Sequence, residues 1–588
     1  MKPIRSLNYR RRYKEKVSYV KWRFFVLCMS IGLALISLII RITYLQVINP
    51  EDFVREGDMR SLRVKKVPAI RGMINDRYER QLAVSVPVYA IWADPKIIYK
   101  NGVLTNDERW QKLANELKIS LEKIKSKISI NHNSRFVYLA RQVNPSIGEY
   151  INKLKIPGFY LLKEFRRYYP SGPATAHLIG VTNIDGQGIE GIEKSFNYML
   201  TGSPGERVVR KDRYGNIVED ISFIDRKVAH NLILSIDEHI QSLAYNELTS
   251  SVIKNKAKSG TAILIDVNTG EVLAMTNSPS YNPNKFSNTS AEVMRNRAIT
   301  DVFEPASTVK PIIIITALNN GIVKTNSVLN TQPFMINGHE IKDVARYNKL
   351  SISGILQKSS NVGISKLALA MPATELIDAY SNFGFGKSTN LGLIGENIGI
   401  FPNKKMRLSK FERAALSFGY GLMITPLQLA RAYATIGSFG IYRPLSIRKV
   451  DTPVLGIRIF PDEIIRKVVS MMESFILPTN SVLTEQKGYK VAIKTGTAKK
   501  VGKDGHYVKQ YVSYTAGVAP ASKPRYALIV IINEPTAGKY YGSVVSTPVF
   551  KKIMGEVLYL MNIKHAESLS NNSELIINKV KENIDGKS

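Results

Sequence analysis

The first long apolar stretch of the chain lies close to its N-terminus. Residues 24–40 contain no charged side chain, and the segment before them carries nine Lys or Arg residues against one acidic residue, Glu15. A helix of about 20 mostly apolar residues crosses a bilayer, and Arg41 at the far end can extend its charged group to the interface. The pattern predicts a transmembrane signal anchor over residues 24–45, and the positive-inside rule places the basic tail, residues 1–23, in the cytoplasm.

A cleaved signal peptide is the alternative interpretation of this stretch. Its apolar region would be shorter and would end at a small-x-small cleavage site, whereas Arg41-Ile42-Thr43-Tyr44 follows here. The uncleaved anchor is therefore favoured. It places the chain after about residue 46 outside the cytoplasm, and that location argues against ATP chemistry and DNA binding.

The segment that follows, residues 46–235, is rich in glycine and charge. It contains short strand-like runs such as 89–93 and 207–210, but no cluster of residues that is typical of a reaction centre. We therefore predict a separate, non-catalytic domain. Its charged motifs either form ion pairs or form a docking surface for other proteins, and they are Arg71-Gly72, Arg167, Glu190-Gly191 with Glu193, and Arg210-Lys211-Asp212.

The hydrophobic pattern changes near residue 236. Asp237 can cap a helix with a continuous apolar face, and a strand at 261–266 leads through an Asn268-Thr269-Gly270 turn into a return strand at 271–277. A mainly helical stretch runs to about residue 440. Three strand-like runs and an apolar helix complete the pattern, at 491–498, 511–519, 526–533 and 545–561.

Late strands that pair with an earlier hairpin, with helices inserted between them, form an α+β domain on an antiparallel sheet. We predict such a domain over residues 236–562. The remaining tail, residues 563–588, is polar and rich in Lys, Asn and Ser, and we predict that it is disordered.

Charge and cysteine content narrow the possible partners. The 588 residues include 82 Lys or Arg and 48 Asp or Glu, a net charge of +34, which suits nucleic acid, anionic lipid or a polyanionic polymer. No long Lys/Arg block follows the first 23 residues, so a basic composition spread over the surface is the favoured explanation. The single cysteine, Cys28, excludes an intrachain disulfide and a cysteine-based zinc site.

Three short motifs carry the candidate chemistry: Ser307-Thr308-Val309-Lys310, Ser359-Ser360-Asn361 and Lys494-Thr495-Gly496-Thr497. Each alone is weak, because Ser-x-x-Lys also begins at Ser120 and at Ser251. Helix capping would explain Ser307 without any chemistry. It does not explain Lys310, which follows one turn later beside the positive end of the helix dipole, where the pKa of a lysine falls toward that of a general base.

The Lys494 motif follows an apolar run, so it lies on a strand or at its end. An edge strand with a glycine lets a substrate backbone approach and pair with it. An ordinary surface strand with alternating polar residues explains the motif equally well. Other chemistries lack their signatures, since the sequence has no His-Glu-x-x-His and no Gly-x-Ser-x-Gly, and Ser381 stands where a P-loop ending at Gly386-Lys387-Ser388 needs glycine.

The order of the three motifs resembles that of the serine acyltransferases that include penicillin-binding proteins and β-lactamases. Segments 71–87, 166–193 and 207–222 are similar to the non-catalytic domain of class B penicillin-binding proteins, and 295–311 and 417–434 are similar to the division-specific, septal branch. The resemblance covers about residues 20 to 560. Two positions depart from it, Ala306 where glycine is usual and Asn533 where aspartate is commoner, and neither removes a reacting group.

The resemblance implies a penicillin-binding transpeptidase fold over 236–562, preceded by a pedestal domain over 46–235. The implied activity is a D,D-transpeptidase that cross-links stem peptides of septal peptidoglycan during cell division through an acyl-serine. The implied catalytic residues are Ser307 as nucleophile, Lys310 as its general base, Ser359 as a proton relay and Lys494 as the group that polarises the relay. The implied substrate-binding residues are Asn361, Thr495, Gly496 and Thr497, with an oxyanion hole from the backbone N–H groups of Ser307 and Thr497.

The same resemblance implies no metal and no cofactor. The implied partners are stem pentapeptides, β-lactams, a membrane-embedded glycan polymerase and other division proteins, with no nucleic acid, and the implied location is the bacterial inner membrane at the septum with the catalytic domain in the periplasm. Three alternatives remain open. A nucleic-acid binder would fit the net charge of +34 but not the predicted location outside the cytoplasm. A non-catalytic division scaffold would have lost a reacting residue, and none is missing, whereas a β-lactam-hydrolysing or β-lactam-sensing enzyme would not need residues 46–235.

Overall fold

The computed structural model describes residues 21–48, 50–67, 70–100, 108–202, 205–212, 217–224, 229–403, 407–452, 454–476, 489–502 and 504–563. The predicted basic tail, 1–23, and the predicted disordered tail, 563–588, therefore lie outside the described residues, except for 21–23 and residue 563. The chain divides into two compact units, Met1–Ala69 with Ser203–Lys227, and Ile70–Gly202 with Val228–Ser588.

The first unit contains the predicted membrane anchor. A helix over Lys21–Thr43 continues as a π-helical turn, Tyr44–Ile48, and together they are long and apolar enough to cross a membrane. Apolar side chains along this helix are exposed, as expected of a surface that faces lipid, and Phe25 is 69% exposed. The other described elements of this unit are a helix, Pro50–Ser61, and three antiparallel strands with the second in the centre, Leu62–Val67, Gly205–Lys211 and Ile217–Ile224.

The second unit begins with a five-stranded sheet that belongs to the predicted pedestal. Its longest strand, Gln81–Ala93, includes the predicted run 89–93 and pairs with both Val137–Val143 and Phe159–Tyr168. Ile91, Trp110 and Leu139 pack in the core between this sheet and its helices. The other two strands are Ile74–Asn75 and Leu232–Ile233, and the helices are Pro95–Lys100, Glu108–Leu117, Leu121–Ile130, Pro145–Lys153, Ala176–Ile179, Gly191–Ser195 and Asn197–Leu200, with a 3₁₀ turn at Gly172–Ala174.

A six-stranded antiparallel sheet dominates the rest of the unit. Its strands are β1 (Ser259–Asp266), β2 (Val272–Ser278), β3 (Glu473–Ile476), β4 (Tyr489–Val501), β5 (Tyr507–Ala519) and β6 (Tyr526–Asn533), in the order β2-β1-β6-β5-β4-β3. The late strands therefore pair with the early hairpin through β1 and β6, and the predicted α+β domain on an antiparallel sheet is confirmed.

Helices cover both faces of this sheet because its central strands carry apolar side chains on both faces. On one face lie α1 (Glu238–Lys254) and, late in the chain, a helix over Thr547–Leu560. On the other face lie α2 (Lys310–Asn319), α3 (Asn361–Ala370) and α4 (Pro426–Gly437), and every residue of α4 is buried. The Asp237 carboxylate accepts the N–H of His239, so the predicted cap of α1 is confirmed.

One predicted helix has different bounds in the structure. The apolar run 545–561 forms Gly542–Val545 and α5 (Thr547–Leu560) instead of one helix. Pro548, in the first turn of α5, has no N–H to continue the preceding helix, and its fixed φ suits the start of a new one.

The remaining elements lie around the sheet. The short helices are Ala291–Met294, Arg297–Thr300, Ile352–Gln357, Ala373–Asn382, Lys410–Ser417 and Asp462–Met471. Three two-stranded ribbons pair Val328–Asn330 with Lys349–Ser351, Phe334–Ile336 with His339–Ile341, and Ile441–Tyr442 with Ile457–Arg458.

Candidate active site

Ser307 lies in a 3₁₀ turn, Ala306–Val309, that leads directly into α2. The residue that caps α2 is Val309, and no side chain caps the helix by a hydrogen bond. Helix capping therefore does not explain Ser307. Within the part of the chain that the structure describes, the half-buried Ser307 hydroxyl makes no hydrogen bond, so it is available to a substrate.

Buried tyrosines hold this turn in place. The Tyr514 hydroxyl donates to the carbonyl of Glu304 at 2.8 Å, and the Tyr433 hydroxyl donates to the carbonyl of Thr308 at 2.8 Å. Because Tyr514 belongs to β5 and Tyr433 to α4, the turn is fixed between the sheet and the buried helix. The position of Ser307 is thus set by elements far away in the sequence.

Two glycines lie close to this turn, and Gly419 is the one that its contacts require. A side chain at Gly419 would place its Cβ 2.2 Å from the carbonyl oxygen of Ala306, whose own φ of +51° lies in the left-handed region. A Cβ at Gly496 would lie 3.2 Å from Thr308 Cγ2 and 3.3 Å from the Pro305 carbonyl oxygen. The Lys494 motif therefore passes directly beside the serine turn, and Gly496 permits that approach.

Two lysines share the hydroxyl of Ser359. The Nζ atom of the fully buried Lys310 lies within hydrogen-bond distance of the Ser359 carbonyl at 2.7 Å, Asn361 Oδ1 at 2.7 Å and Ser359 Oγ at 3.3 Å. Lys494 reaches the same hydroxyl from β4 at 3.0 Å and also donates to the carbonyl of Thr495 at 3.0 Å. The structure thus brings the three predicted motifs together, because both lysines meet at Ser359 and Gly496 lies beside the serine turn.

Burial lowers the pKa of Lys310 well below its usual value, the neighbouring positive charge of Lys494 lowers it further, and Asp343 opposes the shift. Burial also lowers the pKa of Lys494, to about 8. The sequence alone predicts that the helix dipole lowers the pKa of Lys310, whereas in the structure the first cause is burial away from water and the second is the charge of Lys494.

Asp343 is the site residue that the sequence analysis missed. Its carboxylate accepts the Ser360 hydroxyl at 2.6 Å, the Asn361 N–H at 2.5 Å and the Val362 N–H at 2.9 Å. It thereby neutralises the N-terminus of α3, and α3 begins at Asn361. No motif marks Asp343, because it lies in a loop 18 positions before Asn361.

Ser359 itself has a φ of +54°, a backbone conformation that residues other than glycine rarely adopt. In this conformation the carbonyl and the hydroxyl of Ser359 both lie within hydrogen-bond distance of Lys310 Nζ. Backbone strain at functional sites is maintained by surrounding contacts. Here the contacts are those of Asp343 and Lys310 with the residues that follow Ser359.

The Lys494 motif has an open strand edge. β3 pairs with β4 only from Tyr489 to Ala492, so no described strand lies beside residues 494–497 on that side. Thr495 and Thr497 are half-buried, and the Thr497 hydroxyl accepts the N–H of Gly542 at 3.0 Å. An extended peptide backbone could therefore pair with β4 next to Ser307.

A carboxylate without a cationic partner among the described residues lies at the edge of the site. Both oxygens of Glu304 accept the hydroxyl of Tyr507, at 3.0 and 3.1 Å, and Oε1 also accepts the N–H of Gly421 at 2.9 Å. Burial raises the pKa of Glu304. Because Tyr507 begins β5, this contact ties the β4–β5 hairpin to the residues just before Ser307.

Known protein families match most of the chain. Residues 260–555 match the penicillin binding protein transpeptidase domain, and residues 66–234 match the penicillin-binding protein dimerisation domain. The chain is 61% identical over 581 residues to peptidoglycan D,D-transpeptidase FtsI of Escherichia coli (strain K12). The aligned region covers 98% of this chain and 99% of that protein. It is 38% identical over 546 residues to the probable peptidoglycan D,D-transpeptidase PenA of Neisseria gonorrhoeae. The aligned region covers 92% of this chain and 93% of that protein.

Two solved structures share the fold at low sequence identity. Penicillin binding protein 2X from Streptococcus thermophilus has a TM-score of 0.68 at 21% identity. The match covers 84% of this chain and 80% of that protein's chain. A peptidoglycan synthetase from Bifidobacterium adolescentis ATCC 15703 has a TM-score of 0.66 at 23% identity. The match covers 86% of this chain and 98% of that protein's chain. At this identity the likeness establishes the fold alone.

Proposed function

The chain belongs to the division-specific class B penicillin-binding proteins, and on that premise we propose that Ser307 is the nucleophile of its reaction. The protein is a peptidoglycan D,D-transpeptidase. The observation that carries the site assignment is the Ser359 hydroxyl, which two buried lysines share beside the serine turn.

The proposed first step is acylation. Ser307 Oγ attacks the carbonyl carbon of the penultimate D-alanine of a stem pentapeptide, and its proton passes to the neutral amine of Lys310. The low pKa of Lys310 supports this role, because a base must be neutral before it can accept a proton. The C–N bond to the terminal D-alanine then breaks, and the leaving nitrogen receives a proton through Ser359.

The second step forms the cross-link. The amine of a neighbouring stem attacks the acyl-serine ester, a new peptide bond forms, and Ser307 recovers its hydroxyl proton. Lys494, as the ammonium, polarises the Ser359 relay, and the distance of 3.0 Å between the two groups supports this assignment. The backbone N–H groups of Ser307 and Thr497 would stabilise the oxyanion of each tetrahedral intermediate.

Substrate binding would use the open edge of β4. Asn361 would hold the substrate amide, and Thr495 and Thr497 would contact its carboxylate, with Gly496 allowing the backbone to approach. The unpaired edge beside these residues supports this arrangement. β-Lactams would acylate Ser307 in the same way, and the family uses neither metal nor cofactor.

The location and partners extend the same proposal. Residues 46–235 would form the pedestal and 236–562 the transpeptidase domain. The apolar N-terminal helix would anchor the protein in the bacterial inner membrane, with residues 1–23 in the cytoplasm and the catalytic domain in the periplasm at the septum. A membrane-embedded glycan polymerase and other division proteins would be its partners, and nucleic acid would not.

Labelling of membranes with a fluorescent penicillin tests the site. Wild type should be labelled and Ser307→Ala should not, while its thermal unfolding should be unchanged because the Ser307 hydroxyl holds no described residue in place. Ser120→Ala is the matched control, since Ser120 also begins a Ser-x-x-Lys motif but caps the helix Leu121–Ile130. Label on Ser307→Ala at the wild-type level would disprove the assignment, an unlabelled wild type would favour a scaffold, and label that is lost rapidly by hydrolysis would favour a β-lactamase-like enzyme.

A further inference from the structure

A cavity of about 740 Å³ lies in the second unit, away from Ser307. Its walls come from the start of β4, the turn between β5 and β6, and the C-terminal end of α4. Lys490 lines it and precedes Gly496 by six positions on β4, so the cavity is about 20 Å from the serine site at the rise of a strand. It is large enough for a ligand of several residues.

The lining of this cavity is basic. Five of its residues are Lys or Arg and none is Asp or Glu, and the five are Arg443, Arg466, Lys490, Lys523 and Arg525. Three of them have carboxylate partners outside the lining: Arg525 pairs with Asp266 at 3.0 Å, Arg466 with Asp462 at 2.9 Å, and Lys490 with Glu473 at 3.9 Å. Arg443 and Lys523 have no carboxylate within ion-pairing distance among the residues that the structure describes.

Arg443 is the best-defined of these groups. One of its terminal nitrogens donates to the carbonyl of Val267 at 3.1 Å, whereas its Nε is buried and has no hydrogen-bond partner within the described ranges. A buried N–H without a partner is unfavourable. Nε has no surface that the cavity could reach, so a carboxylate there would bind at the terminal nitrogens of the guanidinium, a group that binds carboxylates through two parallel hydrogen bonds.

Apolar side chains form the rest of the wall. Phe439, Ile441, Pro520 and Pro524 line the cavity, and the Arg466 guanidinium lies 3.7 Å from the centroid of the Phe439 ring. A small inorganic anion would leave this apolar surface exposed to water. A peptide that carries both carboxylates and methyl groups would cover it.

We propose that this cavity is a second binding site, separate from the reactive serine, for a carboxylate-bearing stem peptide of the cell-wall polymer. The choice of peptide rests on the proposed function, because stem peptides that contain alanine and end in a carboxylate are the peptides on which this protein acts. A site about 20 Å from Ser307 holds one stem of a polymer while another reacts, which raises the effective concentration of substrate.

The test uses the full-length chain in detergent after penicillin has acylated it, so that the serine site is blocked. Calorimetric titration with a synthetic stem tetrapeptide should then give saturable binding that weakens as salt is added. The tetrapeptide with its carboxylates esterified should bind at least about tenfold more weakly, as expected for loss of charged hydrogen bonds. Inorganic phosphate, titrated separately, should not displace the tetrapeptide at equal concentration.

Three variants locate the binding. Arg443→Gln should weaken tetrapeptide binding at least about tenfold. Lys523→Gln, on an exposed turn where no loss of folding is expected, should weaken it measurably, and the exposed Lys324→Gln should bind as wild type does. Equal binding by wild type, Arg443→Gln and Lys523→Gln, unchanged binding of the esterified peptide, or displacement by phosphate would overturn the proposal.

The two proposals fail in different ways. A chain that penicillin does not acylate contradicts the proposed function. A chain that is acylated normally but does not bind the tetrapeptide contradicts only the second site.

Discussion

The carboxylate of Asp343 accepts the backbone N–H of Asn361 at 2.5 Å. Through this contact, a loop residue outside the three motifs fixes Asn361, whose Oδ1 accepts a hydrogen bond from Lys310 Nζ at 2.7 Å. Asp343 also opposes the fall in the pKa of Lys310. It is therefore a positioning residue, since it acts through Asn361 and Lys310.

We expect Asp343→Asn to slow acylation by penicillin by about tenfold or more, because a charge-assisted hydrogen bond at the start of α3 is lost. Stability should fall by only about 1 kcal/mol, the usual effect of losing a helix cap. The rate of covalent labelling and a thermal melt measure the two effects separately. Glu463→Gln removes an exposed carboxylate from the first turn of another helix and should leave the rate unchanged, and an equal loss in both variants would contradict the role of Asp343.

Replacement of Lys310 should be nearly as damaging as loss of the serine, because base and nucleophile act as a unit. Lys310→Met keeps most of the buried volume and should lower the acylation rate by about 10⁴-fold while the protein remains folded. Stopped-flow labelling with a fluorescent penicillin measures the rate. A loss of less than about tenfold would make Lys310 an electrostatic neighbour of Ser307 and not its base.

The acylation rate should depend on pH in a bell-shaped manner. Lys310 must be neutral, so the rate rises as pH passes its lowered pKa, and Lys494 must be an ammonium, so the rate falls as pH rises past its pKa of about 8. Lys494→Arg keeps the positive charge to higher pH and should move the alkaline limb upward. An alkaline limb that stays in place in Lys494→Arg would assign it to another group.

Glu193 corrects an expectation about the pedestal. The sequence left Glu193 open as part of a docking surface, but it is 0% exposed and lies 2.6 Å from Arg71 Nε and 2.6 Å from Arg167 Nε. Glu193→Ala would leave two buried guanidinium groups without their carboxylate, and we expect it to destabilise the protein by about 3–5 kcal/mol. Thermal melting measures this loss, and an unchanged melting temperature would contradict it.

A docking surface has to be tested at exposed positions instead. Tyr198 is 95% exposed, and Tyr198→Ala should melt as wild type does and acylate penicillin normally. If it also fails to support septation, the pedestal contributes a docking surface as well as its buried ion pairs.

Local sequence determined the elements of the catalytic sheet. The runs predicted at 261–266 and 526–533 are strands in the structure, and Asp237 caps its helix, because apolar runs and caps depend on neighbouring residues. The motif order also identified the family. The roles of Ser307, Lys310, Ser359 and Lys494 remain predictions, although in the structure both lysines meet at the Ser359 hydroxyl and Gly496 lies beside the turn that carries Ser307.

Only the tertiary structure decided the electrostatics of the serine site. Lys494 meets Ser359 across 135 positions, and Asp343 meets Asn361 across 18, so no local pattern could reveal either contact. The low pKa of Lys310 likewise comes from burial and from a second lysine that packing brings near. Periodicity reports which face of an element is buried, whereas the pKa of a buried group depends on the charges and the water that the whole fold places around it.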